Sequence, residues 1–455
     1  MDFEKLDELL SENKYSEFIR TVDEMNVVDL AEYLTTIDSE NLPKVLRMFK
    51  KGKAAEIFAE LDVDVQETII SSFSDFELSK ILTQLYIDDV MEMLDELPAN
   101  IVDRILKNAN KERRAEINRL LKYPEDSAGS LMNSDLARIR SNMTVEQAIT
   151  HIRKTGARKE TVYVIYVTDN TRLLQGTVEL RDLLFADEDD LIEDIMDTTV
   201  ISALTTDDKE SVAMKISKYD LLALPVVDSE NRLVGIVTVD DALDVIEEET
   251  TEDIEIMAAM VPSDKPYLKT GVFEIFKNRI PWLLLLMVSA TVTSAIISHY
   301  EAALAGAIIL TSFIPMLMGT GGNAGSQASV TIIRGISLDE IKMGNIFRVL
   351  FKELRVSLLC GLALAIATFL KVYYFDCILT MEVTGKDAFN VALVVSVTLL
   401  VAVIVAKLVG CSLPILAKRL GFDPAVMASP FITTIIDAVT LVIYFQIANA
   451  LIPLG

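Results

Sequence analysis

Residues 313–335 read FIPMLMGTGGNAGSQASVTIIRG, which places glycines and an asparagine at the end of an apolar span. Glycines let helix backbones approach each other closely in a membrane, and polar groups at membrane depth are tolerated mainly where they line protein or water. Two interpretations follow from this pattern: a glycine-rich crossing of helices, or the lining of a pore. The pattern favours the pore.

Apolar stretches around this segment are long enough to cross a bilayer. They predict five membrane-spanning α-helices within residues 271–455, at about 280–298, 302–320, 356–375, 388–413 and 424–452. Lys and Arg concentrate before the first span and in the loops after the second and the fourth. The positive-inside rule therefore predicts a multi-pass protein with cytosolic N-terminal domains and an external C-terminus.

The last predicted span contains one charged residue, Asp437, within SPFITTIIDAVTLVIYF. A carboxylate at the centre of a bilayer costs about 2.5–3.5 kcal/mol on insertion scales, so Asp437 is expected to face a cavity, a partner or an ion. The alternative is an aspartate held by hydrogen bonds from Thr433, Thr434 or Thr440. Lys407, in the fourth span, is expected to extend its ammonium group to the inner interface.

The charge of the chain is divided unevenly. Residues 1–279 carry 32 Lys and Arg against 59 Asp and Glu, whereas residues 280–455 carry 10 against 9. Such an acidic first part attracts cations and argues against nucleic-acid binding. The three cysteines all lie in the apolar part, so no disulfide framework is predicted. A phosphate-binding G-x-x-x-x-G-K-S/T loop is missing from the sequence, which disfavours an enzyme and an ATP-driven pump.

A 12-residue repeat runs from about residue 22 to residue 109. Its apolar positions recur in one register at Leu34, Leu46, Phe58, Ile70, Leu82, Leu94 and Leu106. Further apolar residues one position before and three positions after each of these give a short helix one apolar face. Twelve residues suffice for about two helical turns and a corner. The repeat predicts an all-α N-terminal domain, residues 1–124, with seven short helices stacked as a superhelix; an ordinary helical bundle is the alternative.

A second repeat, in residues 125–246, consists of two α+β units. Each unit reads helix, strand, turn, strand, helix, and Gly176 and Asp182 of the first recur as Gly235 and Asp241 in the second. This order resembles a tandem pair of CBS domains. Thr238 and Asp241 resemble the ribose-contacting motif of nucleotide-binding CBS domains, so ATP at the CBS pair is one expectation. A purely structural CBS pair is the other.

Residues 240–270 predict an acidic connecting helix and a linker to the first span. From Leu233 to Asp264 the chain has ten acids and no Lys or Arg. Like charges four residues apart on a helix repel each other unless cations screen them. The like-charged pairs are Asp244 with Glu248, Glu248 with Glu252, and Glu249 with Asp253.

Three elements together resemble the MgtE family of magnesium transporters. They are the Gly-Gly-Asn-x-Gly-x-Gln element at Gly321–Gln327, the Pro-Phe-x-Thr-Thr-x-x-Asp element at Pro430–Asp437, and the acidic stretch VDDALDVIEEETTEDI. The resemblance implies a homodimer in the lipid bilayer of the cytoplasmic membrane, with one central Mg²⁺-selective pore. It implies a largely hydrated ion in a pore whose metal-contacting residues are Asp437, Ala428, Ser429, Asn323 and Gln327.

The resemblance also implies a sensor for cytosolic Mg²⁺ that closes the pore. Its residues are Glu56, Asp88, Asp89 and Glu92 of the superhelix, Asp208, Glu210 and Asp220 of the second CBS unit, and Asp241, Asp244, Glu249, Glu252 and Asp253 of the connecting helix. The alternative for each single acid is a solvated surface charge.

The chemistry of Mg²⁺ agrees with these residues. Mg²⁺ prefers octahedral oxygen ligands and dehydrates reluctantly, which suits carboxylate, carbonyl and amide oxygens. The chain has only two histidines, which argues against a zinc site. Co²⁺ or Mn²⁺ as the transported ion remains an alternative. A membrane-bound magnesium sensor that conducts nothing is the alternative from a different class.

Overall fold

The computed structural model describes residues 3–38, 40–263, 265, 267–268, 270–300, 308–338, 340–380, 385–427 and 429–451. The chain divides into two compact units, Met1–Ile246 and Glu247–Gly455.

The first unit begins with a series of short helices. They are α1 (Phe3–Ser11), α2 (Tyr15–Val22), α3 (Val27–Thr35), α4 (Leu42–Leu46), α5 (Lys51–Ala59), α6 (Val63–Ser72), α7 (Asp75–Leu82), α8 (Ile87–Glu96), α9 (Ala99–Asn108) and α10 (Lys111–Leu120). Asn26 and Asn110 are the N-caps of α3 and α10, and Ser74 begins α7 with a reciprocal capping box to Glu77. These side chains bond backbone N–H groups that a helix start leaves unpaired.

The seven helices α3 to α9 cover the predicted 12-residue repeat. α5 contacts both α3 and α7, α7 contacts α9, and α4 contacts α6, so a helix covers the apolar face of the helix two positions along the chain. Tyr33, Ile57, Ile69 and Ile105, all at repeat positions, are fully buried. Burial of one such side chain contributes about 1.5–3 kcal/mol before the loss of conformational entropy is counted. The structure therefore has the stack of short helices that the repeat predicts.

Two α+β units follow in the same compact unit. Their elements are α11 (Ala128–Leu131), β1 (Arg138–Ile139), α12 (Val145–Thr155), β2 (Val164–Thr168), β3 (Leu174–Glu179), α13 (Leu180–Phe185), α14 (Ile192–Ile195), β4 (Ala203–Leu204), α15 (Lys209–Lys218), β5 (Ala223–Val227), β6 (Leu233–Thr238) and α16 (Val239–Met257). In the first sheet β1 is parallel to β2, and β2 is antiparallel to β3. The second sheet repeats this topology with β4, β5 and β6.

The glycines that mark this repeat lie where another backbone segment crosses a strand. A Cβ atom at Gly176 would lie 2.8 Å from the carbonyl oxygen of Asp197, and one at Gly235 would lie 3.0 Å from the carbonyl oxygen of Asn133. Isolated β-bridges join each of these strands to the segment that crosses it, through Thr177 with Asp197 and through Ile236 with Asn133. Any larger residue would push these segments apart, so close backbone packing requires both glycines.

The second unit contains long helices after the end of α16. They are α17 (Val272–His299), α18 (Ile314–Ser337), α19 (Ile346–Leu370), α20 (Lys386–Leu420) and α21 (Ser429–Leu451). Shorter helical turns cover Ile308–Phe313, Met343–Asn345 and Pro424–Met427, and a π-helix covers Lys371–Thr380. Four segments of the described chain are long and apolar enough to cross a membrane: Val272–His299, Met343–Cys377, Lys386–Leu420 and Pro424–Leu451.

Helix α18 corrects the sequence interpretation of the glycine-rich segment. The predicted second span ends at residue 320, with the glycines at its end, whereas α18 continues to Ser337. Residues 301–307, at the start of that predicted span, lie outside the described residues. Glycine costs an isolated helix about 1 kcal/mol relative to alanine. Packing overrides this cost here, because Gly321, Gly322 and Gly325 are buried against neighbouring helices.

Helices α18 and α20 cross with their backbones in contact. A Cβ atom at Gly410 would collide with the carbonyl oxygen of Gly325, and one at Gly325 would lie 3.1 Å from the carbonyl oxygen of Ala406. The helix-crossing interpretation of the glycine-rich segment is therefore correct for its buried glycines. It does not account for Asn323 and Gln327, which are exposed.

Gly410→Ala is expected to destabilise the second unit by about 1–3 kcal/mol, the usual cost of overpacking. The added methyl group must separate α18 from α20, because the atom that it meets is backbone and cannot move aside. Thermal unfolding of the purified protein in detergent measures the change. Gly319→Ala is the matched control, since a Cβ atom at Gly319 meets nothing within 4 Å. Equal stability of the two variants would contradict the backbone contact.

Candidate functional site

Helix α18 has one polar face that the second unit does not cover. Asn323 and Gln327 are exposed and lie one helical turn apart, so they project from the same side. Gly319 lies a further turn away on that side, and the structure leaves the space beside it open. The face combines amide groups with a small residue within an apolar helix bundle, which is the composition expected of a surface that water reaches.

Asp437 lies on α21 beside the glycine face of α18. A Cβ atom at Gly322 would lie 3.8 Å from Oδ1 of Asp437, so the missing side chain leaves room beside the carboxylate. Asp437 is half-buried. The hydroxyl groups of Thr433 and Thr434 donate to the carbonyl oxygen of Pro430, each at 3.0 Å, and not to Asp437.

Within the described residues, the carboxylate of Asp437 has neither a hydrogen bond nor a salt bridge. This finding weakens the alternative in which threonine hydroxyls hold the aspartate. A half-buried carboxylate without a protein partner is an available ligand for a cation. Asp437 is therefore the strongest candidate ligand in the second unit.

The segment before α21 is fixed by one buried hydroxyl. Ser329 of α18 is fully buried, and its Oγ donates to the carbonyl oxygen of Met427 at 3.0 Å. This bond attaches the turn Pro424–Met427 to the glycine-rich helix. Ala428 and the side chain of Ser429 lie outside the described residues, so their role as pore ligands stays a prediction.

Lys407 forms a buried ion pair that the sequence analysis missed. Its Nζ lies 3.2 Å from Oε1 of Glu353 on α19, and the two side chains are 7% and 16% exposed. Because Glu353 precedes the predicted third span, the pair agrees with an ammonium group directed to the inner interface, and that placement stays a prediction. Removing one member of a buried pair leaves an uncompensated charge and is strongly destabilising, so the pair holds α19 against α20.

The first unit contains a carboxylate cluster where the helical domain meets the first CBS unit. Asn133 is fully buried, and its Nδ2 donates both to Oδ2 of Asp88 at 2.8 Å and to Oε2 of Glu160 at 2.9 Å. Asp241 interacts electrostatically with both of these acids. Two predicted sensor residues, Asp88 and Asp241, are thus brought together, and Glu160 joins them.

Burial and mutual repulsion make these acids hard to ionise. Burial, and then the charges of Asp88, Asp241 and other acids, raise the pKa of Glu160 to about 8. Burial and the nearby charges of Asp88 and Asp240 raise the pKa of Asp241 to about 7. Burial and the charge of Asp88 raise the pKa of Asp89 to about 6. A bound divalent cation would relieve this repulsion.

Asn133 and Glu160 are the site residues that the sequence analysis missed. The internal repeat contained a signal for Asn133. When the two α+β units are aligned, Asn133 of the first corresponds to Asp197 of the second, and each of these residues forms an isolated β-bridge with a strand of the CBS pair. No comparable signal existed for Glu160. It precedes β2 in a connection of irregular structure, and only the packing of the helical domain against the CBS unit gives it acidic neighbours.

The remaining predicted sensor residues of the first unit are more dispersed. The carboxylate of Asp208 is the N-cap of α15 and accepts bonds from the backbone N–H groups of Glu210 and Ser211. Exposed acids at the other predicted positions are Glu56, Glu92, Glu210, Asp220 and Asp244. Within the described residues, no group of three or more His, Cys, Asp or Glu side chains is arranged to hold a metal ion. The full sensor set stays a prediction.

The last turns of α16 belong to the second unit and contact the end of α18 there through Asp253. Its Oδ2 accepts a hydrogen bond from Oγ of Ser337 at 3.4 Å. Burial, and then the charge of Asp423, raise the pKa of Asp253. Ile256 and Met257, one turn further on, pack against Ile333 and Ala425. The predicted sensor residue Asp253 therefore lies beside the end of the glycine-rich helix.

Thr238 and Asp241 form a closed pair at the start of α16. The hydroxyl of Thr238 donates to Oδ2 of Asp241 at 2.6 Å, and its backbone N–H donates to the same oxygen at 3.2 Å. Thr238 is buried. The pair begins the helix in the manner of an N-terminal cap, and a ribose would have to compete for the same groups.

The first unit is expected to lose stability as pH rises from about 5 to about 8 in the absence of divalent cations. Glu160 and Asp241 have folded-state pKa values of about 8 and about 7, above the ordinary values, so the folded state holds protons that the unfolded state has released. Each group contributes up to about 1.4 kcal/mol per pH unit in that window. Thermal unfolding of a fragment of residues 1–258 measures the slope.

A double variant, Glu160→Gln with Asp241→Asn, should flatten this pH dependence. The matched control is Asp189→Asn with Glu193→Gln, which removes the same charge from two exposed positions of the two α+β units. If stability fell equally steeply with pH in wild type and in the variant of Glu160 and Asp241, the pKa values of these two acids would not be the cause of the pH dependence.

Sequence models of known families match three parts of the chain. The MgtE model, described as a divalent cation transporter, matches residues 314–447, which contain the glycine-rich helix and Asp437. The model of the MgtE intracellular N domain matches residues 25–126. The CBS domain model matches residues 128–189 and 192–248.

Two relatives align with almost the whole chain. The magnesium transporter MgtE of Thermus thermophilus is 36% identical, with 98% of this chain and 98% of the relative covered. The magnesium transporter MgtE of Bacillus subtilis is 30% identical, with 98% and 96% covered. Among solved structures, the cytosolic domain of the Mg²⁺ channel MgtE in complex with ATP is 36% identical with a TM-score of 0.50, covering 53% of this chain and 98% of that chain.

Proposed function

The chain belongs to the MgtE family of magnesium transporters, and from this premise we propose that it is a Mg²⁺-selective channel that cytosolic Mg²⁺ closes. It acts as a homodimer in the cytoplasmic membrane, with one pore on the dimer axis. Its relatives are named as transporters, in keeping with transport rather than catalysis.

The observation that carries the proposal is the carboxylate of Asp437. Within the described residues it has no protein partner, and it lies beside Gly322 of the helix that also exposes Asn323 and Gln327. In a dimer, two such carboxylates near one axis would hold a hydrated Mg²⁺ through its water shell, as suits an ion that dehydrates reluctantly. Carbonyl oxygens near Ala428 and Ser429 complete the proposed site.

The proposed topology has five spans. Four described segments are long and apolar enough to cross a membrane, and the remaining span, second in chain order, contains α18 (Ile314–Ser337). With Lys and Arg enriched on one side, the N-terminal domains are cytosolic and the C-terminus is external. An odd number of spans is consistent with termini on opposite sides.

The proposed gate is the acidic surface of the first unit together with α16. Asp88, Asp89 and Asp241 have raised pKa values because they are buried among other acids. Mg²⁺ bound between acids of the helical domain, the CBS pair and α16 would offset this repulsion and favour a compact closed state. Because Asp253 of α16 lies beside Ser337 of α18, a movement of α16 has a direct route to the pore helix.

Mg²⁺ flux into liposomes that contain only this protein tests the proposal. The account predicts flux well above that of empty liposomes, with Co²⁺ and Mn²⁺ competing weakly. Stronger uptake of Co²⁺ or Mn²⁺ than of Mg²⁺ would reassign the transported ion. No flux from a folded dimer would favour a membrane-bound sensor that conducts nothing.

ATP is a proposed ligand of the second CBS unit, because a solved relative of the soluble part is named as a complex with ATP. Binding would use Thr238 and Asp241, whose mutual hydrogen bond must open for a ribose to enter. We expect Thr238→Ala with Asp241→Ala to weaken ATP binding at least tenfold, about 1.4 kcal/mol. Calorimetry on residues 1–258 measures it. Unchanged affinity in the double variant would exclude this pair as the site.

A further inference from the structure

A cavity of about 310 Å³ lies in the second unit where the end of α18, the connection that follows it and the end of α20 meet. Its apolar walls are Ile336, Ile341, Ile346 and Ile415, and its polar lining comes from Lys342 and Lys418. The cavity is separate from the polar face of α18 and from Asp437.

The walls of this cavity are fixed by the fold. The backbone N–H of Ile341 donates to the carbonyl oxygen of Gly335 at 2.8 Å, which folds the connection back onto α18. A Cβ atom at Gly335 would lie 2.7 Å from Cδ1 of Ile341, so this side chain packs directly against the α18 backbone. Ile415 packs with the same group of apolar residues from the side of α20. The space is therefore a built feature between three packed elements.

The charge at the cavity points to the chemistry of its ligand. Lys418 is exposed, and within the described residues its ammonium group has no carboxylate partner. An isoleucine-lined space with lysines beside it matches a molecule that has both an apolar chain and an anionic head. A free phosphate would make no use of the isoleucines, and a neutral lipid would leave the ammonium group of Lys418 without an anionic partner.

We propose that this cavity binds an anionic phospholipid, with an acyl chain against the isoleucines and the headgroup phosphate at Lys418 and Lys342. The inference rests on the proposed orientation, in which these helix ends face the cytosolic leaflet, where basic residues meet anionic headgroups. Ile336 in the cavity wall precedes Ser337, whose hydroxyl contacts Asp253 of α16. A bound lipid therefore stabilises the end of α18 next to its contact with Asp253 of α16.

Native mass spectrometry of the purified full-length protein, with phosphatidylglycerol or phosphatidylcholine added to the micelles, tests the proposal. Two variants probe the two halves of the site. Lys418→Gln removes the headgroup charge, and Met343→Trp fills the cavity, which Met343 also lines, while leaving both lysines in place. Arg419→Gln is the matched control, because it removes the same charge from the next residue, which does not line the cavity.

We expect wild type and Arg419→Gln to retain phosphatidylglycerol in preference to phosphatidylcholine, and both site variants to lose about fivefold or more of this retention. Equal retention in all four proteins would overturn the proposal. If Lys418→Gln lost phosphatidylglycerol while Met343→Trp retained it fully, the lipid would be held only by charge attraction at the surface. That result would also overturn the proposal. Displacement of the lipid by millimolar glycerol 3-phosphate would assign the lysines to a free phosphate ester instead. Since lipid retention is read without Mg²⁺ flux, failure of the channel assignment leaves this result interpretable.

Discussion

Asp437→Ala is expected to abolish Mg²⁺ flux while leaving a folded dimer. The substitution removes the charged group of the last span, and within the described residues that group makes no hydrogen bond or ion pair whose loss would destabilise the fold. Loss of about 3 kcal/mol of ion stabilisation, the scale of a charge at membrane depth, corresponds to a decrease of about 100-fold or more. Asp437→Asn should keep the shape of the site and lose most of its selectivity for Mg²⁺.

Mg²⁺ uptake by reconstituted liposomes measures the effect of these substitutions. Asp387→Ala provides the matched control, since it removes an exposed acid from the start of α20 in the same unit. Size-exclusion chromatography checks that each variant is a folded dimer. Mg²⁺-selective flux at the wild-type level in Asp437→Ala would exclude Asp437 as the pore ligand.

Neutralising four acids of α16 is expected to weaken the inhibition by cytosolic Mg²⁺ about tenfold. The variant replaces Asp244, Glu249, Glu252 and Asp253 with their amides and so removes bridging ligands together with their repulsion. A channel that binds Mg²⁺ more tightly in its closed state loses closure when these ligands are lost. Because both the attraction and the repulsion disappear, the variant should stay folded and conduct at Mg²⁺ concentrations that close the wild type.

Proteolysis of residues 240–265 gives an independent readout of the same change. In wild type, protease sensitivity of this segment should fall as Mg²⁺ rises, whereas in the four-acid variant it should stay constant. A control variant neutralises Glu188, Asp189, Glu193 and Asp194, four exposed acids of the CBS pair. Protection in wild type that does not respond to Mg²⁺ would mean that the acids of α16 are only a solvated surface.

The stack of short helices and the paired α+β units were predictable because their determinants are local and repetitive. The spacing of Tyr33, Ile57, Ile69 and Ile105 places them on the buried side of successive helices. The repeated glycines of the CBS units mark strands that another backbone crosses. Asp437 stood out for a similar reason: a single charge in an apolar span is visible in any sequence.

The sequence could not predict contacts that depend on how distant segments pack. Asn133 binds Asp88 of the helical domain, and Glu160 gains its acidic neighbours only when that domain meets the CBS unit. Glu353 and Lys407 are far apart in the chain, and their pairing depends on the crossing of α19 and α20. The length of α18 was missed because helix propensity is a local quantity, whereas packing against α20 and α21 stabilises its glycines.

Current through excised patches of giant liposomes that contain only this protein tests the central claim most directly. Mg²⁺ in the pipette stays constant, while Mg²⁺ on the side of the N-terminal domains is raised from micromolar to millimolar. The account predicts a Mg²⁺ current at low concentration that falls steeply toward zero as the acids of the first unit and α16 bind the ion. A current that does not change with the Mg²⁺ concentration on that side would contradict the central claim. The absence of any current from a folded dimer would also contradict it.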